Sequence, residues 1–245
     1  MSNVASQPAV MRTKRDYHIF DDFTWYVTAH QWASLAADAT ATVTVSDARK
    51  GILAIFTDAT DNNEAAVRSA SECFLGVAGK PLWCEFLAQY TEANTDDANI
   101  AFGFSDAIAA NLLQDNGAGP AASFSGALIY KVDGGTVWKT VSSNGTTQTI
   151  KTTALTAGGT TGGYYGNNDG YHLMGIEIGD YTSTQMQVTY WYDGNQMRDS
   201  TYNLPIVDTL TIASLTEMEV GAYAKAGSAN AETLNIDYIA AGQTR

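Results

Sequence analysis

Positive charge is scarce in this chain. Only 13 Lys and Arg residues stand against 26 Asp and Glu, a formal net charge of -13. Proteins hold nucleic acid chiefly by bringing cations that displace the counterions condensed on phosphates, so this balance excludes a nucleic-acid partner. Proline is nearly absent too, with 4 residues against 22 glycines. The backbone therefore has many tight turns and few rigid breaks, which suits strands joined by hairpins. No apolar run approaches a membrane span; the longest strand-like stretches resemble "ILAIF", a quarter of the length required. A secretory h-region is missing as well, because the early positive charges follow a weak apolar stretch where they should precede a strong one.

The two cysteines, Cys73 and Cys84, flank "FLGVAGKPLW". A hairpin pairing Leu75 with Leu82 would set them opposite each other, within reach of a disulfide. With no mark of secretion, two free thiols packed as small apolar side chains are the favoured reading.

What the chain does have is aromatic and apolar material: 45% hydrophobic residues, with 13 Tyr, 8 Phe and 5 Trp, and charged residues at 16%. Charge falls well under the usual quarter, so the surface must be carried by Ser, Thr, Asn, Gln and Gly. Residues 1–16 are expected to form a flexible arm, and 17–245 a single β domain. The arm is basic: Arg12, Lys14 and Arg15 fall in a segment of 15 residues with no acid. Such a segment is either solvated or docked on an acidic neighbour.

From "YHIFDDFTW" onward, short strand-like runs alternate with turn signals, the pattern of a sandwich. The expected strands include 40–45, 51–57, 71–76, 81–90, 99–105, 126–132, 136–142, 147–153, 171–180, 185–193, 209–215, 217–224 and 232–241. The one expected helix is short, in "SDAIAANLLQDNG", with Ser105 or Asp106 as N-cap and Gly117 as its stop. In "QVTYWYDGNQM", parity puts Met186, Val188, Tyr190 and Tyr192 on one face and Gln187, Thr189 and Trp191 on the other, before an Asp193-Gly194 turn. "ALIYKVDGGTVWKTV" repeats that design around Asp133-Gly134. Two hairpins built alike point to architecture, so the Tyr190 and Tyr192 cluster is expected to be core or sheet surface.

Catalytic patterns are thin. Glycoside hydrolysis needs two carboxylates either side of a bond, and the nearest pairs are Glu177 with Asp180 and Glu217 with Glu219. His18, His30 and His172 lie in unrelated contexts, with no G-x-S-x-G sequence to supply a nucleophile. "TDATDNNEAA" gathers Asp58, Asp61, Asn62, Asn63 and Glu64, oxygen donors of the kind calcium takes, but without EF-hand spacing; it is expected to be a solvated turn, with no metal or other cofactor. "GGTTGGYYGNNDGYH" reads as a long loop presenting Tyr164, Tyr165 and Tyr171 to a sugar, to another protein, or to solvent alone.

The order of "GILAIFTDATDNNEAAVRSASECFLGVAGKPLWCEFLAQYTEA", "YHLMGIEIG", "QMQVTYWYDGNQM" and "AETLNIDYIAA" resembles the concanavalin A-like lectin/glucanase jelly roll. That likeness implies an all-β jelly-roll sandwich of two antiparallel sheets with an extended N-terminal arm. The Glu-x-Asp-x-Glu strand of glucanases of this fold is missing, which implies no enzyme activity. "DNNEAAVRS", "GALIYKVDGGTVW" and "LNIDYIAAGQTR" resemble, further, the lectin-like jelly rolls that tailed bacteriophages use as capsid decoration, or cement, proteins. This second likeness implies a virion structural protein on the outer capsid surface, commonly a homotrimer, clamping neighbouring major capsid proteins. The alternative from another class is a carbohydrate-binding or receptor-binding module, and a glycan hydrolase comes third.

Overall fold

The computed structural model describes residues 16–36, 40–47, 49–94, 96–157 and 170–244. In chain order the first strands are β1 (Asp16–Asp21), β2 (Trp32–Ala36), β3 (Thr42–Asp47), β4 (Ile52–Phe56), β5 (Glu64–Ser69), β6 (Leu82–Thr91) and β7 (Ala98–Ser105). Two short strands, β8 (Leu113–Gln114) and β9 (Gly119–Pro120), precede β10 (Ser125–Lys131), β11 (Val137–Asn144) and β12 (Gln148–Thr156). The rest are β13 (His172–Asp180), β14 (Gln185–Tyr192), β15 (Asn195–Gln196), β16 (Val207–Thr211), β17 (Glu219–Ala226) and β18 (Thr233–Thr244).

Two antiparallel sheets carry the fold. The nine-stranded one runs β15-β14-β13-β6-β18-β4-β3, with β1 also on β18 and β16 also on β14. The other has seven strands in the order β12-β11-β10-β7-β17-β5-β2. Alternation along β6 and β14 is strict: Leu82, Cys84, Phe86, Ala88 and Tyr90 point inward, as do Met186, Val188, Tyr190 and Tyr192. They meet Phe102, Phe104, Ile129 and Trp138 of the facing sheet in one core. Burying side chains of this size is worth roughly 1.5–3 kcal/mol each, which is what fixes the register. The expected parity of Tyr190 and Tyr192 is therefore the observed one, and both are core. The hairpin after Tyr192 turns at Asp193 (φ +48) and Gly194 (φ +73), the paired left-handed residues that a two-residue turn of matching twist demands.

The far face of the seven-stranded sheet is not open. Ala66, Ala101, Leu128, Tyr130, Val141 and Tyr223 form a second cluster there, roofed by Ile108, Leu112, Leu113 and Phe124. The roof is the segment expected to be a helix, and it is not one. Its N–H groups go to distant carboxylates instead of to carbonyls four residues back: Ile108 donates to Glu219 Oε2 at 3.0 Å and Asn111 to Glu64 Oε2 at 2.9 Å. Asn111 is left-handed (φ +61), and the only helical turn in the segment is a 3-10 turn at Asp115–Gly117.

Three further expectations are corrected. Residues 71–76 form no strand, only a bridge between Phe74 and Met218. The hairpin that would face Cys73 with Cys84 does not form either, because Cys73 donates its N–H to Met218 at 3.0 Å while Cys84 pairs with Ile176 and Ala241. Both thiols are free, as favoured. "TDATDNNEAA" is a turn up to Asn63, but Glu64 opens β5 and is buried.

Candidate functional site

The outer face of the nine-stranded sheet presents the side chains that alternate with the core. Across β1, β18, β6, β13 and β14, the register aligns Phe20, Ala240, Glu85, Gly175 and Trp191 in one row. The neighbouring row is His18, Gly242, Trp83, Glu177 and Thr189. Small residues beside large ones make a depression: Gly175 is its floor, and Trp83, Glu85, Leu173, Glu177, Trp191 and Gly194 line it around about 230 Å³. That is under the about 300–1,000 Å³ typical of drug-sized sites and suits a single ring-sized group.

The walls are held from behind. Trp191 Nε1 donates to Thr189 Oγ1 at 3.3 Å, and Thr189 Oγ1 donates to Glu177 Oε2 at 3.4 Å. Trp83 packs against the His18 ring, centroids 6.1 Å apart, and His18 pairs with Asp16 at 3.7 Å. Both glycines leave room for the indoles beside them. A Cβ on Gly242 would stand 2.9 Å from Trp83 Nε1, and one on Gly175 would stand 3.3 Å from Trp191 Cβ. Phe20 and Tyr238 extend the aromatic surface along the same face, centroids 5.8 Å apart.

The expected site residues are distributed as follows. Arg12, Lys14, Arg15, Tyr164 and Tyr165 lie outside the described residues. Tyr171 is half-buried at a separate, more open depression with Asp47, Lys50, Gln89, Asn235 and Asp237. Burial pushes its hydroxyl pKa up, and Asp237 and Asp47 add to that. The candidate acid pairs come apart. Asp180 accepts the Gly79 N–H at 2.7 Å, away from Glu177, while Glu219 is buried against Arg68 and Glu217 is exposed outside any strand. Desolvation raises the Glu219 pKa, and the Ile108 N–H and Arg68 oppose it. His172 stacks on Tyr192 and its Nδ1 lies 2.7 Å from Asp193 Oδ2, so it braces the hairpin turn.

In the oxygen-rich turn, Asp58 is engaged by Thr40, by the Thr60 N–H at 2.9 Å and by Asn63 at 2.8 Å, which lowers its pKa, Thr40 most of all. Asn62 instead takes the Asn116 N–H, and Glu64 faces Lys225. Among the described residues no group of three His, Cys, Asp or Glu side chains is arranged to hold a metal ion.

Trp83, Glu85 and Gly175 were not singled out by sequence. The alternation in "LWCEFLAQY" does put Trp83 and Glu85 outward. What it cannot reveal is that β13 lies beside β6, which brings Glu177 and Gly175 next to them.

No protein-family model matches the chain, and no curated protein does either. Solved structures do match. The carbohydrate recognition domain of Emp47p superposes with a TM-score of 0.56 at 10% identity, covering 96% of this chain and 98% of that one. An endo-1,3-beta-glucanase from Streptomyces sioyaensis gives 0.55 at 12% identity, over 98% of each chain. The exoplasmic/lumenal domain of VIP36, in its Ca2+/Man3GlcNAc-bound form, gives 0.52 at 13% identity, over 92% of this chain and 88% of that one. At these identities the likeness shows the fold: an all-β, concanavalin A-like sandwich of two antiparallel sheets.

Proposed function

We propose that this protein is a non-catalytic glycan-binding module whose site is the Trp83/Trp191 depression. One observation carries the reading: two half-buried indoles and two carboxylates converge on a glycine floor on an otherwise regular sheet face. A pyranose presents an apolar face that stacks on indole and an equator of hydroxyls that donate to carboxylates. The neighbours named for carbohydrate recognition support it at the level of fold, as does the closure of the opposite sheet's outer face by residues of the 106–124 segment.

Binding without turnover is expected because the Glu-x-Asp-x-Glu strand that would set two acids along one sheet face has no counterpart here: Glu85 is the one carboxylate of β6, and in β13 Glu177 and Asp180 differ in parity.

A glycan array probed with the wild type and with Trp83→Ala and Trp191→Ala tests the site. Each loss of a stacking ring, at about 0.5–1.5 kcal/mol, should weaken binding about twofold to tenfold. Gly175→Val should block the depression and remove binding altogether. Absence of any glycan ligand, or variants that bind as the wild type does, would overturn the assignment. A glycan cleaved by the wild type but not by Glu177→Gln would replace it with a hydrolase.

A second reading has its own observation. Tyr202 and Leu204 are 77% and 60% exposed and share an open surface at the sheet edge with Ile150, Pro205 and Val207, interspersed with the polar Lys151, Asp199 and Thr201. Such a patch suits a capsid decoration subunit seated on major capsid proteins, as a trimer on the outer surface of a virion, with Arg12, Lys14 and Arg15 tethering the arm. Deleting residues 1–16 should then lower occupancy on purified phage heads, and unchanged occupancy would remove the arm from that account.

A further inference from the structure

The charge of the depression has a direction that stacking alone does not explain. Its lining holds two carboxylates, Glu85 and Glu177, and no Lys or Arg. The His18 ring packs against Trp83 and itself faces Asp16. Glu85 sits between Ala240 and Gly175 in the sheet register, so no neighbouring cation in its row neutralises it. Among the described residues, Glu177 accepts the Thr189 hydroxyl, at 3.4 Å. Two indole faces add to the same preference, because the ring quadrupole attracts a cation. The whole chain, at -13, draws cations toward it before contact.

We propose that the depression selects a glycan carrying a protonated primary amine, an amino sugar with its nitrogen free, and rejects the N-acetylated and acidic sugars of the same size. This rests on the glycan-binding reading and sharpens it. An ammonium seated over Gly175 would donate to Glu85 and Glu177 while its ring stacks on Trp191 or Trp83. An acetamide in that place keeps one N–H donor but loses the charge and adds bulk over a shallow floor. A uronate would bring a third carboxylate to two already present.

The experiment is a titration of the full chain, followed by tryptophan fluorescence, with four probes: a β-1,4-linked glucosamine oligomer with free amines, its N-acetylated counterpart, an oligogalacturonate, and a lysine-containing peptide. The free-amine oligomer is expected to bind at least tenfold more tightly than the acetylated one, and the uronate not at all. Raising salt should shrink that ratio. Glu85→Gln and Glu177→Gln should each cut the ratio severalfold, weakening the free-amine oligomer far more than the acetylated one, and circular dichroism checks that the fold is kept.

Equal binding of the free and acetylated oligomers would overturn the amine preference and leave the glycan reading standing. No binding to any probe or array glycan would end both. Binding of a lysine peptide but not of the amino sugar would also overturn it, and would move the site to protein recognition.

Discussion

Replacing Lys225 with alanine should lower the unfolding free energy by about 3–5 kcal/mol, the usual cost of removing one partner from a buried ion pair. Lys225 is fully buried beneath the 106–124 segment, on the outer face of the seven-stranded sheet. Its ammonium donates to Asn111 Oδ1 at 2.8 Å, Leu113 O at 3.1 Å and Asp115 Oδ1 at 2.5 Å, with Glu64 Oε2 at 3.7 Å. Glu64 in turn holds the Tyr223 hydroxyl and the Asn111 N–H. One side chain thus links two strands to three points of the roof.

Truncation leaves the Glu64 carboxylate buried without its cation and orphans the loop acceptors. Lys225→Met should do nearly as badly, since it restores volume and not charge. Pairing Lys225→Met with Glu64→Gln should recover part of the loss by removing the carboxylate charge that Lys225 offsets. Urea unfolding reads the stability, and hydrogen exchange shows where it goes. Amides of residues 106–124 should lose protection well before those of β14. A loss under about 1 kcal/mol, with the roof still protected, would contradict this account of how that face is closed.

Stability should also fall as the solution is taken from pH 5 to pH 8. Glu232 is buried at the start of β18, and its pKa is raised to about 8, chiefly by burial and then by the nearby Glu92, with Lys131 opposing. Glu92 is raised too, for the same leading reason, though Lys131 lies 2.7 Å away and the Ala98 N–H donates to it at 2.9 Å. The sign follows from proton counting. Between the unfolded value near 4.3 and the folded value about 8, the native state binds more protons than the unfolded chain, so stability drops as pH rises through that window.

The slope from one such group is at most about 1.4 kcal/mol per pH unit. Glu232→Gln should flatten most of it and raise stability at pH 8. Asp58 and Asp199, whose pKa values are lowered, act oppositely and only in acid below that window. Thermal unfolding at half-unit steps gives the profile. A wild-type curve that is flat or rising from pH 5 to 8, or a variant with the same slope, would contradict it.

How much of this was legible in the sequence depends on how local the signal was. Strict alternation in "LWCEFLAQY" and "QMQVTYWYD", ended by Asp-Gly, fixed strand, face and turn for β6 and β14, because each is decided by neighbours within a few residues. The stretch 105–117 looked helical because its Ala and Leu residues suit a helix. Glu64 and Glu219, 47 and 111 residues away from the N–H groups they capture, overrode that propensity. β2 and β5 carry little local signal for a related reason: "WASLA" is short and small, and "EAAVRS" opens on a glutamate whose burial depends on distant partners, Lys225, the Tyr223 hydroxyl and the Asn111 N–H. The candidate site was half visible. Trp191 and Glu177 each stand out in their own strands, but the depression exists only where β6, β13 and β14 lie side by side, and no local pattern states that order.

The most direct test of the central claim is chemical-shift mapping of the backbone and indole N–H resonances during titration with the free-amine glucosamine oligomer. The account predicts that the shifts concentrate at Trp83, Glu85, Gly175, Glu177 and Trp191, with the 106–124 segment silent. Shifts confined to that segment or to the Tyr202–Val207 edge, or none anywhere at saturating sugar, would contradict it.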